Sequence, residues 1–260
     1  MARCPSFETA RFDANTVIYY CRNCSFDKTI EEKPMNAGQA QHTQNSNAAI
    51  SVEALFKSVD AWQTGHFLLS SGLHSDQYMQ CQRILQYPLH GMHLARALAT
   101  KMLAAGIKPK AVIGPALGAV HLEVFVALAF NEILNSGKSS PNSEDHNSQD
   151  QVRAIFAERA ENGKDFVIRR GIELAQGEEV IVVEDVTTTG GSAKRVVDLL
   201  TAMGAKTLAV GTIIDRSGGT AKFDQPFFAL EQLNLKTYEA DACPMCQAGS
   251  QPIKPGSSKK

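Results

Sequence analysis

The 260-residue chain is 43% hydrophobic and 20% charged, and its 26 basic and 27 acidic side chains leave a net charge of −1. That is enough apolar material for one sizeable core with a small appendage, and the near-neutral balance excludes a general electrostatic pull toward nucleic acid or anionic membrane. No apolar run approaches the roughly 20 residues of a membrane span and the first residues lack a secretory layout, so the expectation is a soluble cytoplasmic protein with no nucleic-acid or membrane partner.

In chain order, residues 1–48 look unlike the rest. The stretch 36–48 (NAGQAQHTQNSNA) is polar without hydrophobic period and is expected to be disordered. Met35 just precedes it, which raises the hypothesis that translation begins there; the intact mass of protein from its native host tests this. Domain organisation is therefore read as a poorly ordered extension over 1–48 and one folded domain over 49–257. From Ile50 a helix is expected, with Ser51 as N-cap and Leu55, Phe56 and Val59 at helical spacing. Residues 61–80 (AWQTGHFLLSSGLHSDQYMQ) read as short strands joined by a Ser-Ser-Gly turn.

Residues 88–105 read as a helix whose stripe is Leu89, Met92, Leu94, Ala97, Leu98, Met102 and Leu103, ended by Gly106. A short buried strand over 111–113 closes in GPALG, and a second helix covers 120–134. Residues 135–151 form a polar loop. Further strands are expected over 154–156, 166–169, 180–183 and 208–214, with a charged loop over 158–165 and a helix from Ser192 to about Met203. Strands alternating with helices, several of them unbroken apolar runs, argue an α/β fold with a mostly parallel central sheet covered on both faces.

The most informative stretch is VIVVEDVTTTGGS, residues 180–192. A buried strand ends in Glu184 and Asp185, then a loop of Thr187, Thr188, Thr189, Gly190, Gly191 and Ser192 leads into a helix. Successive backbone N–H groups and the positive end of a helix dipole make a seat for phosphate, and two carboxylates at its lip suit sugar hydroxyls or a divalent metal. An ordinary β–α turn, with glycines present only for geometry, is the competing reading; adjacent acids with nothing between them argue against it. No lysine follows the glycines in Walker A form, and the dinucleotide fingerprint is absent. GPALG, EDVTTTGGS and DRSGG all sit at the carboxyl ends of strands, where ligands of such sheets gather.

Two C-x-x-C pairs, Cys21/Cys24 and Cys243/Cys246, together offer four thiolates to zinc, but they stand at opposite ends of the chain. Reduced free thiols are the default. His90 and His93 are read as surface or packing residues.

The acidic signature resembles the phosphoribosyl-pyrophosphate motif of the type I phosphoribosyltransferases. With GHFLLSSGLHSDQYMQC, IGPALGAV, RAIFAER followed by IRRG, GTIIDRSGG, CPMC and KPGS in this order, the chain from about Val52 to Ser257 is similar to the bacterial orotate phosphoribosyltransferases. The resemblance implies the type I fold with a small hood subdomain formed by about residues 60–85 and the C-terminal segment. It implies transfer of the 5-phosphoribosyl group from 5-phosphoribosyl 1-pyrophosphate to orotate, with Mg²⁺ carried mainly by substrate, giving orotidine 5′-monophosphate for pyrimidine synthesis. Glu184 and Asp185 would meet the ribose hydroxyls and favour an oxocarbenium-like transition state. Val186 and Thr187 to Ser192 would hold the 5′-phosphate, Thr188 also touching the base. Pro115, Ala116, Leu117 and Gly118 match the pyrophosphate loop.

Arg216 matches the arginine that takes the orotate carboxylate through two parallel hydrogen bonds. Ser71, Gly72, Tyr78 and Met79 fall in the hood over the base, where Tyr78 either stacks on a flat ring or fills the hairpin. The catalytic loop departs from better-known relatives: ERAENGKDF offers Arg159 and Lys164 but no histidine, and Ser70 stands where a lysine is common. Because that loop completes the neighbour's site, a homodimer is implied. A purine or uracil phosphoribosyltransferase and a non-catalytic ligand-sensing regulator are the alternatives; Asp215-Arg216 opposes the first, and the lack of a basic face opposes the second.

Overall fold

The computed structural model describes residues 8–13, 16–20, 51–69, 72–136 and 151–255. Ser70, Ser71, Met35, Cys21, Cys24, the stretch 36–48 and most of the loop 135–151 lie outside the described residues. The chain divides into two compact units, residues 1–48 and 49–260. In the first, β1 (Glu8–Asp13) pairs antiparallel with β2 (Thr16–Tyr20), the latter a TVIYY run suited to a pleated strand.

The second unit opens with α1 (Val52–Ser58). Ser51 caps it by accepting the Ala54 N–H at 3.1 Å, and Leu55 and Phe56 are buried beneath it. The hood follows: β3 (Trp62–Leu68) and β4 (His74–Met79) pair antiparallel, Trp62 opposite Met79 and Leu68 opposite His74. After α2 (Gln82–Leu85), α3 (Pro88–Ala104) starts on a proline whose missing N–H costs nothing at that position. The main sheet is then laid down by β5 (Ala111–Pro115), β6 (Arg153–Arg159), β7 (Phe166–Val167), β8 (Glu179–Thr187), β9 (Lys206–Asp215) and β10 (Phe227–Gln232). Between them lie α4 (Val120–Asn135) and α5 (Gly191–Ala202). Finally β11 (Thr237–Tyr238) joins β4 as the hood's third strand, and α6 (Pro244–Gln247) follows.

Among the described residues the main sheet runs β10-β9-β8-β5-β6-β7, parallel throughout except for the β6–β7 pair. The alternation of strand side chains divides its core in two. Ile181 and Val183 of β8 pack with Leu94, Leu98 and Met102 of α3 and Leu122 and Val126 of α4. Val180 and Val182 face Val196 and Leu200 of α5. The expected α/β fold, parallel sheet and hood are therefore present.

Several boundaries differ from the sequence expectation. Leu89 is 85% exposed and Ala97 is exposed; the buried stripe of α3 is Leu94, Ala95, Leu98, Ala99 and Met102. Those five share one face against the sheet, whereas Leu89 lies a turn before the sheet's cover begins. The strand expected over 166–169 shrinks to two residues, because Phe166 and Val167 have only the end of β6 to pair with. β8 runs past its apolar residues to Thr187, since β9 keeps pairing with it as far as Thr187 opposite Asp215. β10, β11 and α2 were not anticipated; β10 closes the sheet's edge with the mixed run FFALEQ.

Candidate active site

Strand order reverses at β5: the chain leaves β5 through α4 to β6 on one side, while β8 lies on the other and leads outward to β9 and β10. Loops that depart in opposite directions leave a crevice at that point. The carboxyl ends of β5, β8 and β9, carrying GPALG, EDVTTTGGS and DRSGG, all open onto it.

Because β8 stays extended through both acids, Glu184 and Asp185 project to opposite faces of the strand. Glu184 turns toward α5, where it accepts the Ser192 hydroxyl and the Ala193 N–H; burial, then the neighbouring Asp185 charge, push its carboxyl up to about 7. Arg159, at the end of β6, partly offsets this. Asp185 turns toward α2 and the GPALG loop. It accepts its adjacent Val186 N–H at 2.9 Å and a hydrogen bond from Gln82, yet burial still raises its carboxyl. The two acids thus straddle the strand end instead of sharing one partner between them.

Two glycines make this arrangement possible. At Gly118 a β-carbon would stand 3.0 Å from Asp185 Oδ1, so a side chain there would press on the carboxylate. Gly190 caps α5 at φ +78°, and a β-carbon would meet Phe223 Cζ at 2.8 Å. Beyond β8, Thr188 and Thr189 are exposed, Gly191 N–H lies 3.4 Å from Thr189 Oγ1, and the first N–H groups of α5 face the loop. Thr187 is fully buried, and its hydroxyl has no hydrogen-bond partner among the described residues. Val186 packs its side chain against the core. In the GPALG loop Pro115 is buried, Ala116 and Gly118 are half-buried, Leu117 is 85% exposed, and the Ala116–Leu117 peptide is cis.

Arg216 follows β9 and is anchored by its N–H to the Thr187 carbonyl at 2.8 Å. Its Nε is buried without a partner among the described residues. Burial lowers the guanidinium's pKa, offset by Tyr78 and then Cys81. Tyr78 on β4 feels Arg216 in return, although burial keeps its phenol raised; its ring lies 5.6 Å from that of Phe67. The hood's tyrosine and the sheet's arginine are therefore brought together. Met79, the next residue, points the other way into the core at 4% exposure. Gly72 is exposed at φ +88°.

The segment carrying Arg159 and Lys164 is a tight hairpin. Arg159 sits over the Phe166 ring at 4.7 Å, and Asn162 Oδ1 accepts the N–H groups of Lys164 and Asp165 at 2.9 and 3.0 Å. Lys164 is exposed. Only Arg159 senses Glu184.

Three residues escaped sequence reasoning. Gln82 donates to the Gly118 carbonyl, hydrogen-bonds Asp185 and meets His121, tying α2 to both loops. Cys81 is buried, its thiol pushed well up by burial and by Asp185. Glu123, 1% exposed beneath GPALG, is pushed up to about 8 by burial despite the Gly114 N–H. Gln82 and Glu123 had no local signal: a glutamine after the hairpin and an acid within an apolar helix face become informative only once β5, β8 and α2 converge.

The profile of the phosphoribosyl transferase domain family matches residues 80–241. The chain belongs to the phosphoribosyltransferase family. It is 43% identical over 205 residues to the orotate phosphoribosyltransferase of Caldanaerobacter subterraneus subsp. tengcongensis, covering 79% of this chain and 95% of the relative. Among solved structures, orotate phosphoribosyltransferase from Aeropyrum pernix aligns with a TM-score of 0.51 at 23% identity, over 69% of this chain and 92% of that one. Adenine phosphoribosyltransferase from Saccharomyces cerevisiae aligns with a TM-score of 0.50 at 19% identity, over 69% and 99%. These two likenesses show the type I phosphoribosyltransferase fold. Family membership makes the chain a pentosyl-transferring enzyme. No described helix is long and apolar enough to cross a membrane.

Proposed function

We propose that this phosphoribosyltransferase acts on orotate, joining it to the 5-phosphoribosyl group of 5-phosphoribosyl 1-pyrophosphate and releasing pyrophosphate in the synthesis of UMP. The observation that carries the base assignment is Arg216: a half-buried guanidinium whose Nε has no partner among the described residues, near the hood's Tyr78. A buried cation without an anion is costly, and a carboxylated pyrimidine supplies that anion where purines and uracil do not. The 43% identity to an orotate phosphoribosyltransferase supports the same choice.

In this reading the α5 N-terminus holds the 5′-phosphate, the exposed Thr188 and Thr189 and the N–H groups through Ser192 facing it while the buried Thr187 anchors the loop. A ribose lying across the end of β8 reaches Glu184 on one face and Asp185 on the other. Their negative charge favours the positive charge that develops on the sugar as pyrophosphate leaves. Pro115 to Gly118 receive the pyrophosphate, Thr188 and Gly72 border the base, and Tyr78 stacks on it.

The two partly desolvated carboxylates, both raised by burial, fit a site where a divalent cation and sugar hydroxyls share the charge. Mg²⁺, held mainly by substrate, supplies neutralisation of the leaving pyrophosphate. Arg159 approaches Glu184 within one chain, while Lys164 is free to reach a second copy in a homodimer.

Steady-state kinetics test the assignment. Orotate is consumed with the donor and Mg²⁺, while uracil, adenine and hypoxanthine are turned over at least about a hundredfold less efficiently, the scale of a lost charged contact. Arg216→Ala raises KM for orotate by about tenfold or more and leaves KM for the donor within a fewfold. Equal rises in both constants refute the carboxylate role.

A further inference from the structure

Away from the crevice, two imidazoles of the hood meet the two thiols of CPMC. His66 lies on β3 and His74 on β4, while Cys243 immediately precedes α6 and Cys246 lies within it. One donor atom from each, four in all, lie within 4.8 Å of one another. Cys243 Sγ is 3.5 Å and Cys246 Sγ 3.7 Å from His66 Nε2, and Cys246 Sγ is 3.3 Å from His74 Nδ1. Zinc bonds of about 2.3 Å to sulfur and 2.0–2.1 Å to nitrogen give tetrahedral N···S edges of about 3.5 Å. The His66 Nε2 to His74 Nδ1 edge, 2.9 Å, is a few tenths short of the ideal and opens with a small ring rotation.

Three of the four residues are buried, both cysteines are free thiols, and the donors are all nitrogen and sulfur. That donor set selects zinc over magnesium or calcium. The surroundings orient it too: His66 Nδ1 lies 3.2 Å from Ser250 Oγ, which fixes the ring so that Nε2 points into the cluster.

We propose that His66, His74, Cys243 and Cys246 bind one Zn²⁺ in a closed tetrahedral site that staples the C-terminal segment to the hood. Four protein ligands leave no open position, so the ion is structural. It reinforces a short junction, where the segment also meets β3 through the bridge of Ile253 with Phe67, flanked by bonds of 2.8 Å from Leu68 N–H to the Ile253 carbonyl and from Ile253 N–H to the His66 carbonyl. Because β4 carries both His74 and Tyr78, the staple also holds the strand that covers the base.

The test is elemental analysis of the full-length chain, purified without a metal-affinity tag, together with cobalt reconstitution. Wild type carries about one zinc per chain, and Co²⁺ in its place gives the d–d bands of a tetrahedral site with sulfur-to-cobalt charge transfer. Cys243→Ser and Cys246→Ser each lose the zinc, whereas the Cys21→Ser/Cys24→Ser double variant retains it. A chelator lowers the wild-type melting temperature and added zinc restores it. If the serine variants fail to fold, chelation and cobalt spectra of wild type still decide. Wild type without zinc that also gives no tetrahedral cobalt spectrum overturns the proposal. So does metal that survives loss of both Cys243 and Cys246, or that departs with Cys21 and Cys24.

Discussion

Replacing Glu184 by glutamine separates the stability of this site from its chemistry. Burial and the adjacent Asp185 raise the Glu184 carboxyl from an ordinary 4.5 to about 7. At about 1.4 kcal/mol per pH unit, the free energy linked to that proton is about 3 kcal/mol. Below about 4.5 the acid is protonated in both folded and unfolded chains, and nothing is lost. Between there and about 7 the unfolded chain releases its proton while the folded chain keeps it, so stability falls as pH rises, and above that range the loss is complete.

Glutamine copies the shape of the protonated acid and can still accept from Ser192 or Ala193, but it carries no charge to desolvate. Glu184→Gln should therefore match wild type near about pH 4 and exceed it by about 3 kcal/mol near pH 9, or about 6–12 °C in melting temperature for a domain of this size. Thermal unfolding of the ligand-free proteins at both pH values reads this directly, since all other titrating groups are common to the pair apart from Asp185. The repulsion from Asp185 is part of the Glu184 shift and is therefore already contained in that figure. A stability difference that is the same at both pH values would refute the electrostatic reading of Glu184. The same variant should lose turnover, as expected when a site keeps an unfavourable charge for function.

Other perturbations test neighbouring parts of the site. Asp185→Asn should cut kcat on the order of a hundredfold without lowering the melting temperature at neutral pH, because the amide keeps the shape and removes a charge that burial disfavours; an unchanged rate removes Asp185 from the mechanism. Gly118→Ala places a methyl about 3.0 Å from Asp185 Oδ1 and should lower kcat/KM for the donor about tenfold or more, whereas unfolding should move only slightly. Gly190→Ala combines φ +78° with a contact of 2.8 Å to Phe223 and should destabilise by about 1–3 kcal/mol in denaturant titration. Analytical sedimentation should give a dimer; a fully active monomer would remove any role for Lys164 across an interface.

The chain's local chemistry was enough to read the strand–loop–helix proposed as the phosphate seat, because its parts are contiguous: a β-branched run, two acids, small loop residues and a helix start. The parallel sheet was readable for the same reason, since unbroken apolar strands between helical stripes have few other ways to hide both faces. The pairing of Arg216 with Tyr78 was not readable, nor was the bond network of Gln82 or the burial of Glu123. These join β4, β9, α2 and α4, whose adjacency follows from strand order and not from any spacing. The split of Glu184 and Asp185 to opposite faces depended on β8 staying extended four residues past its apolar core, which only its pairing with β9 enforces. The convergence of His66 and His74 with Cys243 and Cys246 is the extreme case. It spans 180 residues of chain from His66 to Cys246, and it exists because hydrogen bonding at both edges of the hood draws the last segment back across it.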